Sequence, residues 1–277
     1  MSKDYLNIVF VINNNKEQHK LFEMCVRSLL KYNKVDNIIV VYFNISEKEI
    51  TNVCSFIKGV NISFIYFDIN KVDDFFPNLP NTCNSRLRYP SLLRWWLPKL
   101  VNVDYFWYVD TDIIFTDSIK EKFLLIQNED LYFFAFNRKI YYRYKKYYKD
   151  KKYYKHTNKL NGGILFINAK AFNEMNMFDD IISFYINNSK NIYYMNQDGY
   201  QYLFEKYYEH SRIEISDIYN INIKYIFNLK HHETPIKIFH FNGVNKTLMY
   251  SIFEYLIANK INELYTSTNI GELKRSI

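Results

Sequence analysis

Three runs of bulky, mostly β-branched residues, Leu6–Ile12, Asn37–Phe43 and Asn61–Phe67, are separated by two segments whose apolar residues recur at helical spacing. In the first segment, His19–Tyr32, these are Leu21, Cys25, Leu29 and Tyr32; the second, Ser46–Ile57, opens with Ser46 and Glu49 in capping-box positions. Strand–helix–strand–helix–strand with short links leaves little choice of fold. Parallel neighbours need a crossover, a helix supplies it, and a sheet with helices on both faces follows. The apolar character of Leu6–Ile12, interrupted only by Asn7, agrees, because a strand covered on both faces has no polar side to show.

Composition fits a packed domain. A chain of 277 residues with 48% hydrophobic and 19% aromatic content can bury a substantial core, which excludes intrinsic disorder. Only 6 Gly and 5 Pro argue against a turn-dense sandwich or propeller. Cys25, Cys54 and Cys83 are odd in number and lack short metal-ligand spacing, so a reducing compartment fits better than a disulfide framework. Cys25 and Cys54 fall on apolar helix faces, where a free thiol behaves as a small hydrophobe. Ile8–Ile12 is too short for a signal-peptide core and no segment reaches about 18 apolar residues. A cytoplasmic or peripheral membrane location is therefore expected.

After a loop with Pro77 and Pro80, Cys83–Leu100 reads as helix-rich, kinked or interrupted at Pro90 and Pro98. It leads into an apolar strand beginning at Tyr105. Leu131–Phe136, Leu160–Asn168 and Ile236–Phe241 read as further strands. Ala169–Asn187, Gln197–Tyr208 and Lys246–Leu264 read as helices, the last with Met249, Phe253, Leu256 and Ile261 near one face. With no internal repeat or linker-like stretch, the expectation is one continuous α/β domain over 1–277 with a mixed central sheet. Its first half, 1–125, is Rossmann-like and nucleotide-binding; its second, 126–277, is more variable.

The strand at Tyr105–Val109 runs straight into Asp110 and Asp112. Two carboxylates where a buried strand surfaces are unfavourable unless something holds them. A hard divalent ion with oxygen ligands would do so, and so would a strand-end turn in which they cap backbone amides. The segment by itself does not choose between these. Asn13, Asn14 and Asn15 follow the first strand, and in an open parallel sheet ligands bind at the carboxyl ends of strands. Two polar clusters on one edge favour a site over a cap.

Several motifs, in order, carry a resemblance. Ile8-Val9-Phe10-Val11-Ile12-Asn13-Asn14-Asn15 is similar to the first strand and uridine-contacting loop of glycosyltransferase family 8, retaining enzymes of the GT-A fold. Arg94 stands where that family has a donor-binding arginine, and Tyr-Val-Asp-Thr-Asp ending at Asp112 resembles its D-x-D motif. Leu160-Asn161-Gly162-Gly163 resembles the N-x-G strand, Asn196-Gln197-Asp198 the D-Q-D motif, and His240 through Gly243 to Lys246 the closing H-x-x-G-x-x-K motif. Asn13 and Asn196 stand where the family often has aspartate, and Thr247-Leu248 replaces its Pro-Trp.

The resemblance implies a GT-A fold and a metal-dependent retaining hexosyltransferase using a UDP-sugar (glucose, galactose or N-acetylglucosamine) on a glycan or glycoconjugate acceptor. Asp110, Asp112 and His240 are the expected ligands of Mn²⁺, with Mg²⁺ as alternative, since oxygen ligands with one imidazole suit these ions. Val11, Asn13, Asn15, Arg94, Asn161, Gly243 and Lys246 are the expected donor contacts, Lys246 as a point charge on the diphosphate. Gly162 and Gly163 would let backbone approach the donor sugar. Gln197 and Asp198 are the catalytic candidates. An amide is a poor nucleophile, which favours front-face substitution with both residues orienting the sugar.

Two other readings stand beside this one. An inverting GT-A enzyme would use Asp198 as base, and a degenerate GT-A domain would act as a carbohydrate- or polyanion-binding module. The segment Arg138–Lys155 interleaves nine cations and one acid with seven tyrosines, so the rest of the chain is near neutral despite a formal charge of +7. It is expected to be an acceptor-side flap, with peripheral membrane contact second and nucleic acid last.

Overall fold

The computed structural model describes residues 5–75, 85–137, 160–188, 195–216, 218–219, 221–222, 236–241 and 247–258. The basic segment 138–155, Cys83, Pro77, Pro80, His231, His232, Gly243, Lys246 and the predicted helix beyond Ala258 lie outside them, as do the side chains of Asn196 and Gln197.

The first third forms as its pattern demands. Strands β1 (Asn7–Ile12), β2 (Asn37–Tyr42) and β3 (Asn61–Tyr66) alternate with helices α1 (Lys16–Tyr32) and α2 (Glu47–Val53), and α3 (Asn70–Phe75) follows. Asn15 caps α1 by accepting from the Glu17 and Gln18 amides, and Ser46 and Glu49 make the reciprocal box at the start of α2. All six residues of β1 are buried. Alternate side chains go to opposite faces: Val9 and Val11 join one core with Tyr108, Trp95 and Tyr200, while Ile8, Phe10 and Ile12 join the other with Trp107, Phe22 and Cys25.

Helices α4 (Ser85–Leu93) and α5 (Leu97–Leu100) lead to β4 (Tyr105–Val109). Pro90 lies inside α4, so the break falls at Arg94–Trp96; Pro98 sits in the first turn of α5, where its missing N–H is harmless. Then come β5 (Ile113–Phe115), α6 (Lys120–Asn128), β6 (Phe133–Asn137), β7 (Ile164–Asn168), α7 (Ala169–Glu174), α8 (Met177–Asn188), α9 (Met195–Lys206), β8 (Ser211–Ile215), β9 (Ile221–Asn222), β10 (Ile238–His240) and α10 (Thr247–Ile257). The helix expected over Ala169–Asn187 is two. Asn176 has φ 53°, a left-handed conformation that ends one helix and re-aims the next, while the apolar spacing runs on unbroken.

Among the described residues the central sheet has seven strands in the order β3-β2-β1-β4-β7-β6-β8. β3, β2, β1 and β4 run parallel; β7 is antiparallel to both β4 and β6, and β8 is parallel to β6. This is the expected mixed sheet, with strands drawn from both halves of the chain. A small sheet, β5-β10-β9, stands beside it. A third core joins Leu21 and Met24 of α1 to Phe239 near the end of β10 and to Met249 and Ile252 of α10. Among the described residues, no helix is long and apolar enough to cross a membrane.

Candidate active site

The chain leaves the large sheet at Val109 and enters the small one at Ile113, so Asp110-Thr111-Asp112 is the bridge between them. Each aspartate is tied to a different sheet through its backbone. The Asp110 amide donates to the Gly163 carbonyl at 2.8 Å, just before β7, and the Asp112 carbonyl accepts from the Phe241 amide at 2.9 Å, just after β10. Within the small sheet His240 pairs with Ile113. Backbone registry alone therefore brings His240 to the two carboxylates.

The side chains converge. One ligand atom from each of Asp110, Asp112 and His240 lies within 4.8 Å of the others. His240 Nε2 is 3.3 Å from Asp112 Oδ1 and 3.9 Å from Asp110 Oδ2, and the imidazole is 1% exposed. Gly163 makes room for that ring: a Cβ there would lie 2.3 Å from His240 Cε1. Arg94, at the break after α4, donates through Nη2 to Asp110 Oδ1 at 2.6 Å and through Nη1 to the Gly162 carbonyl at 3.2 Å. Tyr108 donates its hydroxyl to the same Asp110 oxygen at 2.5 Å, and Arg94 lies over its ring, 4.4 Å from the centroid. Cys25 of α1 gives its thiol to the Asp110 carbonyl at 3.7 Å.

The electrostatics follow from burial. Desolvation raises Asp110 above the ordinary aspartate value, with Arg94 opposing it and Asp112 adding to it. Burial pushes the Tyr108 phenol well up, so it is a neutral donor. Burial works most strongly against the Arg94 charge, but Asp110, Tyr108, Tyr200 and Asp112 together outweigh it and hold the guanidinium above its ordinary value. Two carboxylates with one guanidinium leave an excess of negative charge beside a buried imidazole. That donor set, oxygen-rich with a single nitrogen, fits a divalent cation of the Mn²⁺ or Mg²⁺ kind.

The sequence over residues 7–247 matches the family model described as glycosyl transferase family 8. The chain belongs to that family. Compared with curated protein sequences it has no match. Among solved structures, this family 8 glycosyltransferase is similar to the galactosyltransferase LgtC, solved with donor and acceptor sugar analogues: 18% identity, 92% of this chain and 96% of that one, TM-score 0.70. GlyE of Streptococcus pneumoniae TIGR4 in its apo form is 16% identical over 96% of this chain and 64% of its own, with TM-score 0.62. Mouse xyloside xylosyltransferase 1 is 13% identical over 86% of this chain and 98% of its own, with TM-score 0.60. The fold is GT-A, as expected from the sequence.

Other expected residues of this glycosyltransferase fall around the same centre. Val11 ends buried in β1, which runs parallel to β4, so Asn13 and Asn15 emerge at the same sheet edge as Asp110. Their carbonyl oxygens serve local structure: Asn13 Oδ1 accepts from the Asn15 amide, and Asn15 Oδ1 caps α1. Asn161 likewise turns its Oδ1 to the Gly163 amide at 2.9 Å. Asp198 is buried in α9, which packs on α4. Gly199 permits that packing, since a Cβ would lie 2.6 Å from Trp95 Cζ2. Gln197 is the third residue of α9.

Two participants in the site carry little signal in the sequence. Tyr108 is unremarkable as a strand tyrosine, although its place two residues before Asp110 puts both on one face of an extended chain. Cys25 gave no signal beyond a helix periodicity. Gly163, expected to let backbone approach the donor sugar, in addition leaves room for the His240 ring.

Proposed function

We propose that this glycosyltransferase is metal-dependent and retaining, and moves glucose, galactose or N-acetylglucosamine from a UDP-sugar to a glycan or glycoconjugate acceptor. The observation that carries the proposal is the convergence of Asp110, Asp112 and His240 at a strand-carboxyl edge beside Arg94. Asp110, Asp112 and His240 would hold the cation, Mn²⁺ preferred and Mg²⁺ second. When bound, such an ion supplies charge to balance the departing diphosphate.

The chain's own groups do the rest. Val11, Asn13 and Asn15 take the nucleoside, and Lys246 and Gly243 the diphosphate. Arg94, Asn161, Asp198 and Gln197 would take the sugar. The C1–O bond to the diphosphate breaks as an acceptor hydroxyl forms a bond to C1 from the same face. The hydroxyl proton passes to the departing phosphate oxygen, so no side-chain nucleophile is required. The segment 138–155 would meet the acceptor.

Calorimetric titration of UDP with and without Mn²⁺, then of a panel of UDP-sugars, tests the donor half. UDP binding that ignores Mn²⁺, or no UDP binding, would refute it. The anomeric configuration of the product, read by proton NMR, tests retention, and an inverted product would move Asp198 to the role of base. Asp112→Asn should abolish metal-dependent donor hydrolysis while leaving the melting curve cooperative.

A further inference from the structure

Asp110 has two carboxylate oxygens, and the structure treats them differently. Oδ1 receives both the Tyr108 hydroxyl, at 2.5 Å, and Arg94 Nη2, at 2.6 Å. Oδ2 is the oxygen on the side of His240, 3.9 Å from Nε2. The two donors are themselves fixed. Arg94 is anchored by the Gly162 carbonyl at 3.2 Å and by the Tyr108 ring at 4.4 Å, and Tyr108 is 3% exposed within a central strand. The Asp110 backbone is held as well, by the Gly163 carbonyl.

We propose that Tyr108 and Arg94 are positioning residues that lock Asp110 as a one-oxygen ligand, and that this lock makes the site prefer a small octahedral cation over Ca²⁺. The proposal rests on the reading of Asp110, Asp112 and His240 as a cation site. Its physical basis is the difference in coordination. Ca²⁺ takes about six to eight oxygens at roughly 2.3–2.6 Å and readily uses both oxygens of one carboxylate; Mg²⁺ holds a tight octahedron at about 2.0–2.1 Å. Chelation by both Asp110 oxygens would require Oδ1 to give up two hydrogen bonds, one of them charge-assisted. The phenol carries no charge. Its removal therefore changes how freely the carboxylate turns and leaves the net charge of the site alone.

A merely structural role predicts something else. If Tyr108 and Arg94 only compensate the burial of Asp110, their loss lowers stability and shifts all cation affinities together.

The test uses the full chain as wild type, Tyr108→Phe and Arg94→Lys. Mn²⁺ alone and Ca²⁺ alone are titrated by calorimetry in otherwise metal-free buffer, with thermal unfolding followed in parallel. The wild type should bind Mn²⁺ more tightly than Ca²⁺. Tyr108→Phe should reduce the ratio Kd(Ca²⁺)/Kd(Mn²⁺) about tenfold, the scale of one hydrogen bond to a charged group. Arg94→Lys should move it the same way, because one ammonium cannot serve Gly162 and Asp110 as a fork does. If Tyr108→Phe fails to fold, the ratio in Arg94→Lys decides. A ratio that stays constant while the melting temperature falls overturns the lock and leaves the cation site standing. A wild type that binds Ca²⁺ as tightly as Mn²⁺ also overturns the lock. A wild type that binds neither ion removes the cation site, and the lock with it.

Discussion

At the scale of single residues, the site depends as much on atoms that are missing as on those present. Gly163 has no Cβ, and one placed there would stand 2.3 Å from the His240 ring. Gly163→Ala should cost about 1–3 kcal/mol, the usual range for overpacking, and should also displace the imidazole. Urea unfolding and Mn²⁺ titration read the two effects; a variant as stable as wild type that binds Mn²⁺ equally would contradict the close approach. The cysteines make a second residue-scale prediction. Burial pushes Cys25 well up and Cys54 to about 12, so neither thiol ionises in the neutral range. The thiolate is the reactive form, and raised values mean that increasing pH to about 9 still leaves both protonated. Peptide mapping after iodoacetamide treatment should find Cys25 and Cys54 unmodified in the folded protein and modified in urea. Asp110 and Asp112 were legible because two carboxylates on an apolar strand are conspicuous. Tyr108 was not, because a tyrosine in a strand is ordinary until its hydroxyl is seen to have a destination.

At the scale of elements, legibility tracked how local the determinants are. β1, β2 and β3 came out within a residue of expectation, β1 and β2 because burial on both faces leaves a mostly apolar run, and β3 because β-branched and aromatic residues mark it even at the half-exposed sheet edge. Helices α1 and α2 carry their caps, Asn15 and Ser46, next to them in the chain. Helix α6 was not foreseen, and the reason is physical. Ile119 at its start offers no side-chain cap. The cap comes from Asn33, whose Oδ1 accepts from the Ile119 and Lys120 amides at 2.8 and 3.1 Å while its Nδ2 donates to Leu29 near the end of α1 at 3.0 Å. One buried amide thus joins the end of one helix to the start of another. Asn33→Ala should destabilise the protein by about 2–4 kcal/mol in urea unfolding, because it strands several buried groups at once. Asn33→Asp keeps the acceptor and places a negative charge at a helix N-terminus, so it should recover part of that loss. Equal losses in both variants would show that the capping oxygen is not what matters. The polar strand β8, with Arg212 and Glu214, escaped detection because its partners and not its composition make it a strand.

At the scale of the whole molecule, the reversal of β7 against β4 is what makes a site possible. It brings Gly162 and Gly163 to the carboxyl end of the parallel strands, where Arg94 and Asp110 already lie. The architecture was readable from alternation in the first third of the chain. In the second half several strands and helices were readable but their pairing was not, because its strands pair across long sequence gaps that no local pattern records.

The bridge between the two sheets has a kinetic consequence. Residues 110–112 and His240 are far apart in the chain, yet they meet where the small sheet abuts the large one. An ion gripping both ends would act as a clasp on a very long loop, and closing such a loop is slow and entropically unfavourable. The clasp can engage only after β10 has docked. Mn²⁺ should therefore slow unfolding in urea-jump experiments and leave the refolding rate unchanged, the pattern for contacts absent from the transition state. Trp95, Trp96 and Trp107 are all buried and give the fluorescence signal. Refolding accelerated by the same factor that unfolding is slowed would place the docking of β10 before the barrier. In the expected case the ion sets the lifetime of the native state as well as its chemistry.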